Sequence, residues 1–426
     1  MPRIIVIGGG WAGCAAALAA RKAGVETILL ERTDCLLGTG LVGGIMRNNG
    51  RFTAAEEMIA MGGGDLFQLA DDVARHTNIE FPGHKHANLY DVALMEPAIR
   101  RYLVEQGVEL WMTARACDVE KTNGHLEAVS LGKGDLLEAD AFVEATGTAG
   151  PQGNCRKYGN GCAMCVLRCP SWGGRVSIAA RAGVQEMIGC RPDGSLGAMS
   201  GSCKQHKDSI DPAIAAELDR TGVAVVSIPK ELVHMEKLAI KVCQQYALSA
   251  FAENLVLLDT GHVKLMTSFY PLDELRRIPG MGNARYEDPY AGGKGNSVRY
   301  LALSPRDDHL KVEGLDNLFC AGEKAGLLVG HTEAICTGTL AGHNAARYAL
   351  GQPLVTIPPS TAVGDAITYV REQMQTKEGM TKKYTFSGSV YLERMKEQKT
   401  YTTDVEVIQQ RVQKAGFKDF FAHKVT

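Results

Sequence analysis

Residues 4–13 read IIVIGGGWAG, and this stretch decides the fold of the chain. The four apolar residues predict a buried parallel strand, and the Ala-rich segment after the glycines predicts a helix that ends at Gly24. Residues 26–31 predict a second strand, which finishes at Glu31. A strand, a glycine-rich turn, a helix and a second strand ending in an acid are typical of a nucleotide-binding βαβ unit. The N-terminus therefore predicts a dinucleotide site.

The residues of this fingerprint have separate roles in holding a dinucleotide. Gly8 permits the tight turn, Gly10 lets the pyrophosphate approach the backbone, and Gly13 lets the helix pack on the strand. The helix N-terminus carries a partial positive charge that faces the phosphates, and Glu31 can accept hydrogen bonds from the ribose hydroxyls. We predict cofactor contacts at these positions and at Arg32, which follows Glu31.

Two later strand-like segments favour FAD over NAD. Residues 140–146 predict an apolar strand, residues 318–322 predict another, and a helix of small residues is predicted over about 332–350. This trio resembles the FAD-binding domain of the large flavoprotein group with two dinucleotide-binding folds. By that resemblance, the last segment contacts the ribityl chain and the flavin. An NAD-binding Rossmann domain is the alternative, but it does not need the third segment.

This resemblance implies further cofactor contacts from segments that are far apart in the chain. Ala116, in a strand predicted over residues 109–119, would offer backbone atoms to the adenine. The other expected contacts lie in glycine-rich turns or at strand ends: Gly43, Gly44, Thr146, Gly147, Gly322 and Glu323. The expected fold is α/β, with a doubly wound, mainly parallel Rossmann-like sheet that binds FAD.

The last third of the chain carries a more specific resemblance. Residues 318–351 read LFCAGEKAGLLVGHTEAICTGTLAGHNAARYALG and resemble the flavin-proximal region of the glucose-inhibited division protein A family. Residues 265–268 (LMTS) and 277–281 (RIPGM) are similar to the same family, which includes tRNA uridine-modifying flavoproteins. Residues 360–369 (STAVGDAITY) resemble its folate- and FAD-dependent tRNA uridine methyltransferase branch. The resemblance implies an FAD-dependent enzyme.

The chain also departs from the RNA-modifying members of that family. Those enzymes carry a cysteine near the flavin soon after the second strand, whereas residues 40–44 (GLVGG) contain none and Cys35 comes early. The net charge of −2 gives no global attraction to nucleic acid. Nucleic acid is therefore not the partner that we expect, although the RNA-modifying alternative stays open.

A group of cysteines lies within fifteen residues and has no counterpart in the tRNA enzymes: Cys155, Cys162, Cys165 and Cys169. The last three form a C-x2-C-x3-C unit followed by Pro170, close to the tail of bacterial ferredoxin ligand runs. We predict that the four thiolates hold one [4Fe–4S] cluster near the flavin. Cys190 or Cys203 could replace Cys155 as the fourth ligand. Structural zinc, a redox-active disulfide and unrelated buried thiols are the other interpretations.

Two polar residues lie in the loop just before the predicted helix of small residues. His331 and Glu333 border the flavin in the family that the chain resembles, and we predict that they are catalytic. His331 has the pKa range of a proton donor and could also contact the substrate. Helix capping or ordering of the loop is the alternative role.

The predicted elements divide the chain into three parts. The FAD-binding domain is expected to be discontinuous, over residues 1–150 and 279–359. An inserted α+β part, residues 151–278, begins with the cysteines and would cover the flavin and shape a substrate pocket. Within it, a long helix is predicted over about 230–254. The tail, residues 360–426, is expected to be helical and polar, and to serve as a cap, a dimer arm or a docking element.

Composition narrows the class of protein. Hydrophobic residues make up 45% and charged residues 22%, as in an ordinary globular protein. No apolar run approaches the roughly 20 residues that span a bilayer, so no membrane is expected as a partner. Twelve cysteines without a recognisable export signal indicate a reducing compartment, and we expect a cytoplasmic protein.

These features together predict an FAD-dependent oxidoreductase. The flavin would carry out two-electron chemistry on a small organic substrate, and the iron–sulfur cluster would exchange single electrons with an external carrier. Homo-oligomer formation stays open. One alternative is a flavin- and folate-dependent RNA uridine-modifying enzyme with structural zinc. The other is an electron-transfer subunit of a larger complex.

Overall fold

The structure is a computed structural model that describes residues 1–132, 134–147, 169–196, 198–200, 203–241, 244–266, 270–287, 297–299 and 301–425. Its strands are β1 (Arg3–Ile7), β2 (Glu26–Leu30), β3 (Ile45–Met46), β4 (Ala74–Phe81), β5 (His84–Tyr90), β6 (Glu109–Trp111), β7 (Ala116–Thr122), β8 (His125–Leu131), β9 (Leu136–Glu138), β10 (Ala141–Glu144), β11 (Met187–Ile188), β12 (Ala198–Ser200), β13 (Cys203–Gln205), β14 (Val223–Ser227), β15 (Asn254–Asp259), β16 (Val263–Leu265), β17 (Ser297–Arg299), β18 (Ala302–Leu303) and β19 (Leu318–Cys320). Its α-helices are α1 (Trp11–Ala23), α2 (Gly50–Ala60), α3 (Asp65–Asp72), α4 (Val92–Glu105), α5 (Cys169–Trp172), α6 (Ile178–Arg181), α7 (Pro212–Thr221), α8 (Ala250–Glu253), α9 (Leu272–Leu275), α10 (His331–Ala349), α11 (Ala362–Met374), α12 (Ser389–Glu397) and α13 (Val405–Lys414).

The central sheet confirms the predicted Rossmann-like fold. Its strands run parallel in the order β19-β10-β1-β2-β6, and Ile4 of the central strand pairs with Ala141 on one side and Thr27 on the other. The run Ile4–Val6 is fully buried, as the continuous apolar pattern of a parallel strand requires. Because β1 lies in the middle, the fingerprint turn stands at the centre of the carboxyl edge of the sheet.

Helices α1 and α10 pack against each other at very short range. A Cβ atom added at Gly338 would lie 2.2 Å from the Ala12 carbonyl oxygen, and one added at Gly342 would lie 2.0 Å from that of Ala16. Only glycine allows this approach, because any side chain would collide with the facing backbone. The small residues of α10 therefore allow this late helix to pack directly on α1, the first helix of the chain.

The inserted part contains an antiparallel sheet in the order β13-β16-β15-β14 with a hydrophobic core of its own. The predicted long helix over residues 230–254 is wrong. In its described part the chain forms short 3-10 turns, at Lys230–Leu232, Met235–Ile240 and Gln244–Tyr246, and one turn of α-helix. Lys241 and Gln245 are buried there, so tertiary contacts outweigh the helical propensity of the sequence.

The strand predicted over residues 109–119 is also divided. Thr113 has φ of 55°, in the left-handed region, and the chain turns there between β6 and β7. As a result β6 completes the parallel sheet, whereas β7 begins a separate antiparallel sheet, β7-β8-β9. Ala116 is the first residue of that second sheet.

The C-terminal segment shares the main hydrophobic core. Tyr384, Tyr391, Val412 and Phe421 are buried in the same cluster as the residues of β1. Helices α11, α12 and α13 lie in this segment. Among the described helices, none combines the length and the apolar character needed to cross a membrane.

Candidate cofactor and substrate site

A pocket runs across the carboxyl ends of the central strands and continues beneath the insert. It is lined by most of the residues that the sequence predicts as cofactor contacts: Gly8, Gly10, Glu31, Arg32, Gly43, Ala116, Thr146, Gly147, Gly322 and Glu323. Apart from Gly43, which precedes β3, these residues follow β1, β2, β10 and β19 or begin β7, and the parallel topology brings the strand ends together. Gly13 and Gly44 stand behind this lining, where they serve close packing rather than direct contact.

The glycine turn forms a cradle that fits a pyrophosphate. A Cβ atom at Gly10 would meet no protein atom within 4 Å, so the space in front of it is open. At Gly13, by contrast, a Cβ would lie 1.7 Å from the Gly8 carbonyl oxygen, and Gly8 itself has φ of 103°. Gly10 is the N-cap of helix α1 and offers no side-chain cap, so the first N–H groups of the helix are directed at this space.

Glu31 is held rigidly at the end of β2. Its Oε2 accepts a hydrogen bond of 2.8 Å from the Gly9 N–H, and its Oε1 accepts one of 2.8 Å from the Thr33 N–H. A carboxylate has about four acceptor positions, so capacity remains for ribose hydroxyls. The predicted role of Glu31 stays a prediction, and the geometry is compatible with it.

Cys169 lies beside the Glu31 end of the pocket. Its Sγ is 3.7 Å from Nη1 of Arg32, which also donates to the Gly173 carbonyl oxygen. Nε of Arg115, another lining residue, donates to the Gly174 carbonyl oxygen at 3.0 Å. Strand β2 is separated from β19 by β1 and β10, and three strand spacings amount to about 14 Å. Residues 169–174 are therefore nearer to Glu31 than to the Gly322 end, where the flavin is expected.

The remaining residues of the predicted cluster, Cys155, Cys162 and Cys165, lie outside the described residues. Of the alternative ligands, Cys203 is buried in the core of the insert, and the Cys190 N–H donates to the Met380 carbonyl oxygen. Within the described part of the chain, no three His, Cys, Asp or Glu side chains converge as metal ligands. The cluster thus stays a prediction.

A buried charge network underlies the pocket after β10, and sequence reasoning missed it. The Glu144 carboxylate accepts hydrogen bonds from the N–H groups of Ile178 (2.9 Å) and Ala179 (2.8 Å), at the start of α6. Lys324, which is fully buried, has Nζ 3.6 Å from Glu144 and also pairs with Glu186. Burial lowers the pKa of Lys324 to about 8. Burial alone would raise the pKa of Glu144, but the cationic neighbours hold it below its usual range.

His331 stands at the opposite end of the pocket, as the first residue of α10. Its ring centroid lies 5.8 Å from that of Trp11 and 6.4 Å from that of Tyr90. A Cβ atom at Gly43 would be 1.8 Å from His331 Cε1, so the imidazole is pressed against the Gly43 backbone. The structure thus brings His331 and Gly43 together at the pocket wall, where a substrate could reach the ring.

Glu333 has a different environment. Its side chain is buried, accepts from the Arg51 guanidinium at 3.2 Å, and accepts further bonds from the Thr385 hydroxyl (2.7 Å) and the Phe386 N–H (2.9 Å). These contacts are those of a structural ion pair that joins α10 to the C-terminal segment. The predicted catalytic role of Glu333 stays a prediction, and these contacts do not favour it.

The insert closes the pocket with residues that no sequence motif marked: Lys241, Gln245, Tyr246, Lys264 and Met266. Lys241 Nζ donates to the Met266 carbonyl oxygen at 2.5 Å, and Lys264 Nζ donates to the Val42 carbonyl oxygen. Lys264 faces the pocket from within β16, where the apolar run of a strand gave no signal of a functional side chain. The insert therefore contributes two cations and an aromatic ring to the site.

The parallel sheet, the glycine cradle and the return of the chain through β19 and α10 define an FAD-binding protein of the Rossmann type. The profile of the family "Glucose inhibited division protein A" matches residues 3–250 and 256–353. The chain belongs to this family, a family of FAD-dependent oxidoreductases. The resemblance seen in the sequence is thereby confirmed.

Relatives match over limited stretches. The methylenetetrahydrofolate–tRNA-(uracil-5-)-methyltransferase TrmFO of Dictyoglomus thermophilum is 35% identical over 105 residues, which are 24% of this chain and 23% of the relative. The enzyme of the same name from Caldicellulosiruptor bescii is 33% identical over 112 residues, 26% of this chain and 24% of the relative. The matches thus span about a quarter of the length of these curated relatives.

Similarity of structure extends much further. The structure of Aquifex aeolicus GidA in its form II crystal aligns with a TM-score of 0.66 and 17% identity, over 98% of this chain and 73% of that one. The form I crystal aligns with a TM-score of 0.60 and 16% identity, over 97% and 78% of the two chains. At this level of identity the likeness establishes the fold.

Proposed function

We propose that the chain is an FAD-dependent oxidoreductase that acts on a small organic substrate bound between the central sheet and the insert. The observation that carries this proposal is one continuous pocket with a pyrophosphate cradle at Gly10 and side chains of the insert at its far end. Bound FAD would supply two-electron redox chemistry. The chain would supply binding, orientation and exclusion of water.

The residues divide this work along the pocket. The first turn of α1 would bind the pyrophosphate and Glu31 the ribose, so the flavin end would extend toward Gly322 and His331. Tyr246 and Met266 of the insert would cover the reacting region and exclude water. His331 is the titratable side chain best placed to contact a substrate or to donate a proton there.

The finer part of the proposal is a one-electron relay. Cys155, Cys162, Cys165 and Cys169 would hold a [4Fe–4S] cluster, which would supply single-electron transfer to an external carrier. The spacing of these cysteines supports the relay, whereas Cys169 lies against Arg32, at the Glu31 end of the pocket. Four thiolates suit structural zinc equally well, and that is the alternative.

A second candidate function follows from the names of the relatives. The chain matches enzymes named as methylenetetrahydrofolate–tRNA-(uracil-5-)-methyltransferases, which favours flavin- and folate-dependent modification of an RNA uridine. That function requires phosphate contacts, so it predicts RNA binding that weakens steeply with salt. An oxidoreductase of small molecules would show no such binding.

Cofactor analysis of anaerobically purified protein tests these proposals. We expect one FAD per chain and about four iron and four sulfide, lost in Cys162→Ser and Cys165→Ser but kept in Cys117→Ser. Cys117 is a suitable control because it lies in β7, outside the cysteine motif. One zinc and no iron would contradict the relay and favour RNA modification. Absence of FAD from freshly purified protein would contradict the oxidoreductase itself.

A further inference from the structure

Arg175 is a buried cation in the wall of the pocket, and its contacts within the chain are sparse. Its side chain is only 4% exposed, and the residue lines the pocket. Nη1 donates to the Thr146 hydroxyl at 3.4 Å, and Nη2 lies 3.6 Å from the Glu186 carboxylate. Within the part of the chain that the structure describes, Nε has no hydrogen-bond partner. A guanidinium has five N–H donors, so burying one with so few contacts is costly unless a ligand completes them.

The two acids close to Arg175 have other partners. Glu186 pairs with Lys324, which is fully buried. The Glu144 carboxylate lies 3.6 Å from Lys324 Nζ and accepts a hydrogen bond of 2.8 Å from the Thr146 hydroxyl. Both carboxylates would therefore stay paired if the charge of Arg175 were directed to a ligand in the pocket.

The position of Arg175 is next to the glycine turn. Its partner Thr146 follows β10, and burial and the nearby charge of Arg32, which follows β2, both lower the pKa of Arg175. Strands β10 and β2 flank β1, which leads into the turn at Gly8. A Cβ atom at Gly8 would lie 3.1 Å from the backbone nitrogen of Thr146. The guanidinium is therefore close to the cradle at Gly10.

Two further arginines hold the backbone that precedes Arg175. Arg32 donates to the carbonyl oxygen of residue 173, and Nε of Arg115 donates to that of residue 174 at 3.0 Å. All three arginines line the pocket near Glu31, and cations outnumber acids among the described lining residues. This part of the wall therefore favours a ligand with more than one negative charge.

We propose that Arg175 binds the pyrophosphate of the dinucleotide, together with the first turn of α1. The guanidinium fork donates to phosphate oxygens, and the backbone N–H groups of α1 donate to others. Arg175 belongs to the insert, so the affinity for the cofactor depends on the insert as well as on the Rossmann-like sheet. This inference rests on the proposed function, because the dinucleotide is the FAD of that proposal.

Titration of the cofactor-free protein with FAD, followed by flavin fluorescence, tests the proposal. Arg175→Met should weaken FAD binding about 10- to 100-fold, the value of one charge-assisted hydrogen bond. Arg175→Lys keeps the charge without the fork and should recover part of the affinity. ADP, measured by competition, should show the same loss as FAD, because it carries the pyrophosphate without the flavin. Arg181→Met is the matched control, because Arg181 is an exposed arginine of α6.

Unfolding of the cofactor-free variants in urea separates a binding residue from a structural one. Since Glu186 keeps its pairing with Lys324, Arg175→Met should unfold at about the same urea concentration as wild type. A structural ion pair would instead lose stability when one partner is removed. If Arg175→Met does not fold, the same comparison is made with Arg175→Gln, which keeps a polar side chain.

Three results would overturn the inference: Arg175→Met binds FAD like wild type, loses affinity for FAD but not for ADP, or loses stability in urea together with its affinity. Variants that keep their stability but lose affinity for both FAD and ADP support it. Wild-type protein that does not bind FAD refutes the proposed function instead.

Discussion

Replacing Gly10 with alanine should separate cofactor binding from folding. The backbone there, with φ of −69° and ψ of −178°, suits any residue, and the added Cβ would meet no atom within 4 Å. Alanine restricts the unfolded chain, so the free energy of unfolding of the cofactor-free protein should rise by about 0.4–1 kcal/mol. The same methyl group would occupy the approach of the pyrophosphate. Losing two charge-assisted backbone hydrogen bonds, at about 1.5–3 kcal/mol each, would weaken FAD binding by roughly 10²- to 10⁴-fold.

Gly13→Ala provides the contrast within the same turn. Its Cβ would lie 1.7 Å from the Gly8 carbonyl oxygen, so the turn or the helix must shift. We expect overpacking to destabilise even the cofactor-free protein by about 1–3 kcal/mol. Urea unfolding of apoprotein and titration with FAD, followed by flavin fluorescence, measure both effects. Normal FAD affinity in Gly10→Ala would refute the assignment of the cradle, and equal destabilisation by both variants would refute the open space at Gly10.

Three further predictions concern buried ionisable side chains. Glu333→Ala should lower the free energy of unfolding in urea by about 3–5 kcal/mol, because it removes the carboxylate that faces the buried Arg51; unchanged stability would contradict the ion pair. Burial lowers the pKa of His343 from 6.5 to about 4, so its contribution is present above pH 6.5 and is lost as the pH falls toward 4. The free energy of unfolding should therefore fall by about 2 kcal/mol between pH 7 and pH 5 because His343 resists protonation in the folded state. The variant His343→Leu should show a correspondingly smaller fall. The Asp259 carboxylate accepts hydrogen bonds from Arg75 at 3.0 Å and from Lys207 at 3.1 Å. Asp259→Asn should therefore loosen the insert and speed its cleavage by protease. Asp208→Asn is the control, because Asp208 is exposed.

The parts of the fold that could be predicted from sequence are those written in local patterns. Strand β1, the glycine turn and α1 follow one another within the first 23 residues, and apolar runs marked β2, β10 and β19. Because parallel strands end at one edge of a sheet, the pattern of strands is enough to place their last residues in one pocket. Gly10, Glu31 and Gly322 were predicted in this way.

The rest of the site depends on contacts that no local pattern encodes. Lys241 and Lys264 reach the pocket only because the insert folds over it, and the helix predicted around Lys241 does not form. Glu333 was predicted to be catalytic because it lies close to His331 in the sequence. In α10, however, its carboxylate is directed to Arg51. The buried network with Lys324 was not predicted. Its signal in the sequence was Glu144, an acid at the end of the apolar strand β10.

The glycine-mediated contact between α1 and α10 has a consequence for how the protein is made. The two helices are about three hundred residues apart in the chain, yet each completes the other's hydrophobic surface. A ribosome releases α1 early, and about three hundred residues must follow before its partner emerges. We therefore expect the nucleotide fingerprint of a nascent chain to lack its packing partner until α10 has been synthesised. We expect flavin binding to require a chain that extends at least through α10, and shorter products of interrupted translation to remain free of the cofactor.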